Sequence, residues 1–394
     1  MNEFDSISTP DDVLKLASRR TGLVEIDSDS WREGLAIVLD EVNSSPAFTP
    51  AGRERIIDDA VKALERRLKV HDYIQRHPEV LDIPVERPVF TLGMPRTGTT
   101  VISYLLDQDP NRRSLLHWEC MTPVPPPAAG ALRTDPRCLA LLEEQKQILE
   151  LVKAAKMPLP HWEDADGPTE CMFIHNQDFK GLSWDAFLAS PRYARWLINE
   201  ADMTSAYEYQ KRYLQVLQSK APGTWSLKMP SHSVYIDTLL QVFPDARFIW
   251  AHRDPFKATG SLGNLLTLPK SMVLTPEAQG SVDWATNLTE QMSQHVARPL
   301  RSRERIGDDR FFDMYYHEMM NDPMDVIRRI YEWLGDPFDA ETEAGMRNWL
   351  AAHPQDRFGQ NAYTLDEYGL TVEGLTPIFA DYLEKFDIEM ESAL

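Results

Sequence analysis

Pro88-Val-Phe-Thr-Leu-Gly-Met-Pro-Arg-Thr-Gly-Thr-Thr-Val-Ile-Ser-Tyr-Leu-Leu106 decides the fold. Pro88–Gly93 is a short β-prone run, and Thr99–Leu106 carries helix-forming apolar residues directly after a turn bracketed by Gly93 and Gly98. Strand, glycine turn and helix in that order form a phosphate-binding unit. The spacing Gly93-x-x-x-x-Gly98-Thr-Thr matches a triphosphate-binding loop with one departure. Such loops place Lys and then Ser or Thr after the second glycine; here those positions hold Thr99 and Thr100. The missing Lys would neutralise the β- and γ-phosphates, so its loss argues against ATP or GTP as donor. What remains is a ring of backbone N–H groups at a helix N-terminus, with Arg96 and the hydroxyls of Thr97, Thr99 and Thr100 around Gly98. That set suits a smaller anion.

Working outward, the chain to about Glu86 reads as helical, because Ile57, Val61, Leu64 and Leu68 recur at helical spacing among charged residues. Pro78, Pro84 and Pro88 then mark a change of period. Residues 109–223 are rich in aromatics and proline and read as a helical insertion that walls a pocket, with helices over Leu139–Val152 and Pro191–Leu217. Strands are expected at Trp225–Lys228, Ala246–Ala251 and Arg310–Tyr316, and helices at Ser231–Val242, Phe256–Leu266 and Asp322–Leu334. Strands alternating with helices predict an α/β fold, a P-loop-like parallel sheet flanked by helices. The expected division is a helical N-terminal segment over 1–86 and an α/β domain over 87–394.

The chain has 394 residues and a formal net charge of −20. A field of that sign repels nucleic acid and anionic membranes, so an anionic ligand needs a local cluster of donors. Cys120, Cys138 and Cys171 are far apart, which supports neither disulfides nor a thiolate metal site. No apolar run reaches the roughly 20 residues of a membrane span. A cytoplasmic protein without a metal or nucleic-acid partner is expected; oligomeric state is open.

Beyond the loop, Arg247-Phe-Ile-Trp-Ala-His-Arg-Asp-Pro-Phe-Lys-Ala-Thr-Gly-Ser261 ends a buried strand in Arg-Asp-Pro, with Ser261 eight residues after Arg253. Both side chains would reach the carboxyl edge of the sheet, where α/β folds bind ligands. Together with Pro95-Arg-Thr-Gly-Thr-Thr100, these residues resemble the two phosphate motifs of the sulfotransferase family, and Trp225-Ser-Leu-Lys-Met-Pro-Ser-His232 and Tyr315-Tyr-His-Glu-Met-Met-Asn-Asp-Pro323 extend the likeness. The nearest branch is bacterial, with an extra helical N-terminal segment. The resemblance implies 3′-phosphoadenosine-5′-phosphosulfate as donor co-substrate and a small acceptor with a hydroxyl, and the chain's aromatic and Met richness points to a lipophilic one. Arg96, Thr97, Gly98, Thr99 and Thr100 would hold the 5′-phosphate, and Arg253 with Ser261 the 3′-phosphate. The family's Trp after Thr-Thr is Val101 here, so the adenine contact must come from elsewhere, and Arg357 is the candidate for a C-terminal 3′-phosphate arginine.

Lys228 ends an expected strand and is the candidate for stabilising charge on the leaving oxygen. The acceptor must lose a proton. His232, four residues on, and Glu170, from the acidic segment Asp164-Ala-Asp-Gly-Pro-Thr-Glu170, both qualify as its base. Arg112-Arg113 reads as helix-surface charge. Trp118, Trp162, Trp184 and Trp196, with Met121, Met157 and Met172, suit either an acceptor pocket or the core. Two other functions stay open: a P-loop kinase-like phosphotransferase using Asp254 for magnesium, and a non-catalytic nucleotide-binding protein.

Overall fold

A computed structural model describes residues 3–4, 6–154, 162–353 and 363–391. Its centre is a five-stranded sheet of β1 (Val89–Gly93), β2 (Arg112–Ser114), β3 (Thr224–Lys228), β4 (Arg247–His252) and β5 (Phe311–Tyr315), in the order β2-β3-β1-β4-β5. Every pairing is parallel. Parallel strands are buried on both faces, and the alternation of side chains sorts them into two cores. Phe90, Leu92, Leu227, Phe248 and Trp250 point to one face, where they join the helices Pro50–Arg76, Thr204–Gln218 and Trp284–Ile306. Val89, Ile249, Ala251 and Met314 point to the other, against the helices Thr99–Leu106 and Pro323–Leu334.

The expected α/β class and parallel sheet are therefore present, and Thr99–Leu106 is a helix at the expected bounds. The differences have physical causes. Ser231–Val242 is a 3-10 turn over Pro230–Tyr235 followed by an α-helix over Ile236–Val242. Pro191–Leu217 is two helices, Arg192–Asn199 and Thr204–Gln218, separated where Asp202 Oδ1 accepts from Thr204 N. Arg112-Arg113 is not helix surface but the start of edge strand β2, with both side chains buried. Arg113 pairs with Glu119, and Arg112 with Asp336 at 2.5 Å.

The N-terminal helices share the first core. Arg67, fully buried, pairs with Asp27 at 2.6 Å and with Asp178 at 2.7 Å, tying the helix Pro50–Arg76 to the 109–223 region. Among the described residues no helix is long and apolar enough to cross a membrane.

Candidate active site

The carboxyl ends of β3, β1 and β4 are adjacent, with Thr91 in register with Lys228 and Gly93 with Ala251. The loop after β1, the end of β3 and the segment after β4 consequently open onto one edge of the sheet. At Gly93, φ is +138°, and a Cβ would lie 2.5 Å from the Ala251 carbonyl oxygen, so only glycine permits this approach. Arg96 and Gly98 also have positive φ, +70° and +87°. A left-handed arginine is a strained backbone position, one that clusters at ligand-binding turns. Thr97 Oγ1 closes the turn by donating to Met94 O at 2.8 Å. The helix Thr99–Leu106 starts at Gly98 with no side-chain cap, so no capping side chain satisfies its first N–H groups. Such an arrangement can hold an anion with backbone donors.

Two arginines concentrate charge beside it. Arg96 Nε donates to Ser261 Oγ at 3.0 Å, and Arg253 Nη1 donates to the Arg96 carbonyl at 2.8 Å. Burial, followed by the neighbouring Arg253, pushes the Arg96 guanidinium below its ordinary pKa. An anion between the two would relieve both effects. Asp254 caps the helix Pro255–Ser271 by accepting from Phe256 N and Lys257 N, which fixes the turn that carries Arg253. The Arg253 guanidinium lies over the Tyr316 ring at 3.9 Å, and Tyr316 also covers Gly98. His252, buried behind, bonds Asp313 at 2.9 Å and Tyr382 at 3.2 Å.

Lys228 is fully buried with its ammonium between two carboxylates, Glu163 at 3.1 Å and Glu170 at 3.3 Å. Burial opposes its charge, but Glu170 and Glu163 outweigh burial and hold its pKa above the ordinary lysine value. The acidic segment is clamped from both sides. Cys171 N donates to Lys228 O at 2.9 Å, Thr169 N to Leu115 O at 2.8 Å and Trp118 N to Ala165 O at 2.9 Å. Gly167 lies against Tyr104, where a Cβ would come within 2.3 Å of the hydroxyl. Glu163 also accepts from Thr169 Oγ1. The Glu170 side chain is the more exposed of the two, 15% against 5%.

His232 lies elsewhere. Its ring packs on Phe90 at 4.9 Å and on His175 at 6.0 Å, and Nδ1 bonds the Tyr207 hydroxyl at 2.9 Å. Phe90 and its neighbour Thr91 point to opposite faces of β1, and Thr91 is in register with Lys228. His232 and Lys228 thus point away from opposite faces of the sheet. Burial, followed by His175, drives the His232 pKa well below its ordinary value, and Nε2 is buried without a hydrogen bond.

Of the residues expected from sequence, the structure brings together Arg96, Ser261 and Arg253 around the loop, and Lys228 with Glu170. Thr97 and Thr99 are buried in the loop, and Thr100 is half-buried. Arg357 and Met157 lie outside the described residues. Trp118, Trp184 and Trp196 are core residues, and Trp162, Met121 and Met172 are half-buried. Sequence reasoning missed Glu163, Tyr316 and Glu391. Tyr316 stands in a segment already singled out, but nothing in its spacing marks a contact with Arg253. Glu163 immediately precedes the acidic segment and has no motif of its own.

A sequence profile of the sulfotransferase family matches residues 88–340. Omega-hydroxy-beta-dihydromenaquinone-9 sulfotransferase Stf3, from Mycobacterium bovis and Mycobacterium tuberculosis, is 27% identical over 296 residues, 73% of this chain and 70% of that protein. The crystal structure of sulfotransferase STF9 from Mycobacterium avium is 71% identical, covers 100% of both chains and superposes with a TM-score of 0.93. Sulfotransferase STF1 from Mycobacterium tuberculosis, 27% identical over 95% of this chain and 99% of its own, gives 0.81.

Proposed function

Since this chain belongs to the sulfotransferase family, we propose that it takes its sulfuryl group from 3′-phosphoadenosine-5′-phosphosulfate and delivers it to the hydroxyl of a small lipophilic acceptor. The observation that carries the reading is the Lys228 ammonium, held between two carboxylates at the same sheet edge as an uncapped, glycine-bracketed anion loop. In this reading the backbone of Arg96–Thr100 binds the 5′-phosphate, and Arg253 with Ser261 binds the 3′-phosphate.

In-line transfer forms a bond from sulfur to the acceptor oxygen as the bond from sulfur to the 5′-phosphate oxygen breaks. The acceptor's proton passes to a carboxylate, and adenosine 3′,5′-bisphosphate leaves. Lys228 opposes the negative charge that grows on the leaving oxygen. Glu170, the more exposed carboxylate, is the base, and Glu163 is a positioning residue that keeps Lys228 in place. His232 fits the base role poorly. Its basicity is suppressed by burial, and its one bonded nitrogen is engaged with Tyr207.

The acceptor class takes its support from the 27% identical relative, which by name sulfates an omega-hydroxylated dihydromenaquinone. A phosphotransferase would need Asp254 for magnesium. That carboxylate already accepts from Phe256 N, Lys257 N and Glu391 N. Calorimetry tests the donor: adenosine 3′,5′-bisphosphate should bind without magnesium and ATP should bind far more weakly. The reverse preference would overturn the reading.

A further inference from the structure

The side edge of the Arg253 guanidinium, formed by Nε and Nη2, is occupied by a residue of the chain's own C-terminal segment. Nη1 is spent on the Arg96 carbonyl and one face of the group lies on Tyr316. The remaining fork, Nε and Nη2, donates to the two oxygens of Glu391 at 2.5 and 2.9 Å. This is the bidentate geometry by which arginine holds carboxylate or phosphate, and the fork serves one such group at a time. The segment is also held elsewhere: Glu391 N donates to Asp254 Oδ2 at 3.0 Å, and Glu389 lies 3.6 Å from His317. Ile388–Glu391 thereby forms one wall of a cleft of about 480 Å³ whose other wall includes Arg253, Lys257 and Tyr316.

We propose that Glu391 is an internal stand-in for the donor's 3′-phosphate, so that the donor seats only when Ile388–Glu391 leaves Arg253. The inference rests on the reading of Arg253 as the 3′-phosphate residue. Glu391 has the features of a displaceable competitor. Its side chain is 33% exposed, and partly exposed ion pairs are weak enough for a more highly charged phosphate to replace them. While the donor is absent, the carboxylate keeps a half-buried cation paired in a strongly acidic protein. Glu391 therefore sets donor affinity without touching the donor.

The experiment is calorimetric titration of adenosine 3′,5′-bisphosphate and of adenosine 5′-phosphate, which lacks the 3′ group, into the full chain. The variants are Glu391→Gln, Arg253→Ala and the double variant. Glu391→Gln should bind the bisphosphate about tenfold more tightly, with adenosine 5′-phosphate unchanged as the control for an intact site. The gain should vanish in the Arg253→Ala background. If Arg253→Ala selectively weakens the bisphosphate but Glu391→Gln gains nothing, or gains equally for both nucleotides, this inference fails and the reading of Arg253 stands. If Arg253→Ala leaves bisphosphate binding as in the parent, that reading itself fails.

Discussion

Lys228 has to stay an ammonium in a place that water does not reach, and its two carboxylate partners make that possible. Replacing it with alanine should lower turnover by about 10²-fold or more while adenosine 3′,5′-bisphosphate still binds; steady-state kinetics and calorimetry separate the two effects. The pH dependence has a definite sign. A lysine whose folded pKa is raised contributes its stability fully below the unfolded value near 10.5 and loses it only as pH rises through the folded value. Activity should therefore show no alkaline loss from Lys228 below that pH, and Glu163→Gln should bring the alkaline limb down. Glu170→Gln should cost about 10²- to 10⁴-fold in kcat, whereas His232→Gln should lower the melting temperature with little effect on kcat. A large kcat loss in His232→Gln with native stability would return the base role to the histidine. The sequence left these two candidates open because both follow from residue type and distance along the chain. Only strand register shows that Lys228 and His232 point away from opposite faces of the sheet.

At the scale of elements, the loop and the helix behind it were legible because their signals are local: a β-prone run, two glycines and a helix start. Strand β2 was not. It is three residues long and begins Arg112-Arg113, and the carboxylates that make those charges tolerable in the interior, Asp336 and Glu119, are read only in space. Glu163 was missed for the same reason, since the lysine it holds, Lys228, lies 65 residues away on β3. The acidic segment itself depends on a tight fit. Gly167→Ala would force a Cβ into the Tyr104 hydroxyl, a displacement expected to reach Glu170 through the short clamped stretch between them. Overpacking of this kind costs about 1–3 kcal/mol. The expected outcome is a lower melting temperature and a lower kcat, both partly restored by Tyr104→Phe, which removes the nearest atom.

For the molecule as a whole, the N-terminal helices are held by buried charge as well as by apolar contact. Arg67→Ala would leave Asp27 and Asp178 without their shared partner, which costs about 3–5 kcal/mol for a buried pair. The low end is expected, because Arg212 and Lys180 still face these carboxylates; denaturant unfolding measures it. Acid should destabilise the whole fold for a different reason. Burial lowers His175 and His295 to about 4, so each stays neutral in the native state while the unfolded chain takes up a proton below about 6.5. Their contribution is present above that pH and is lost as pH falls toward 4, a decline that a series of thermal melts should record. The register of Gly93 with Ala251 has a consequence at this scale too. In the proposed reading it sets the grip on one end of the nucleotide and the grip on the other on neighbouring strands, whose separation is about 4.8 Å in any parallel sheet. With that reading the sheet would work as a caliper with jaws that do not slide. A nucleotide with the same charged ends but one more phosphate between ribose and terminus would have to leave one jaw empty.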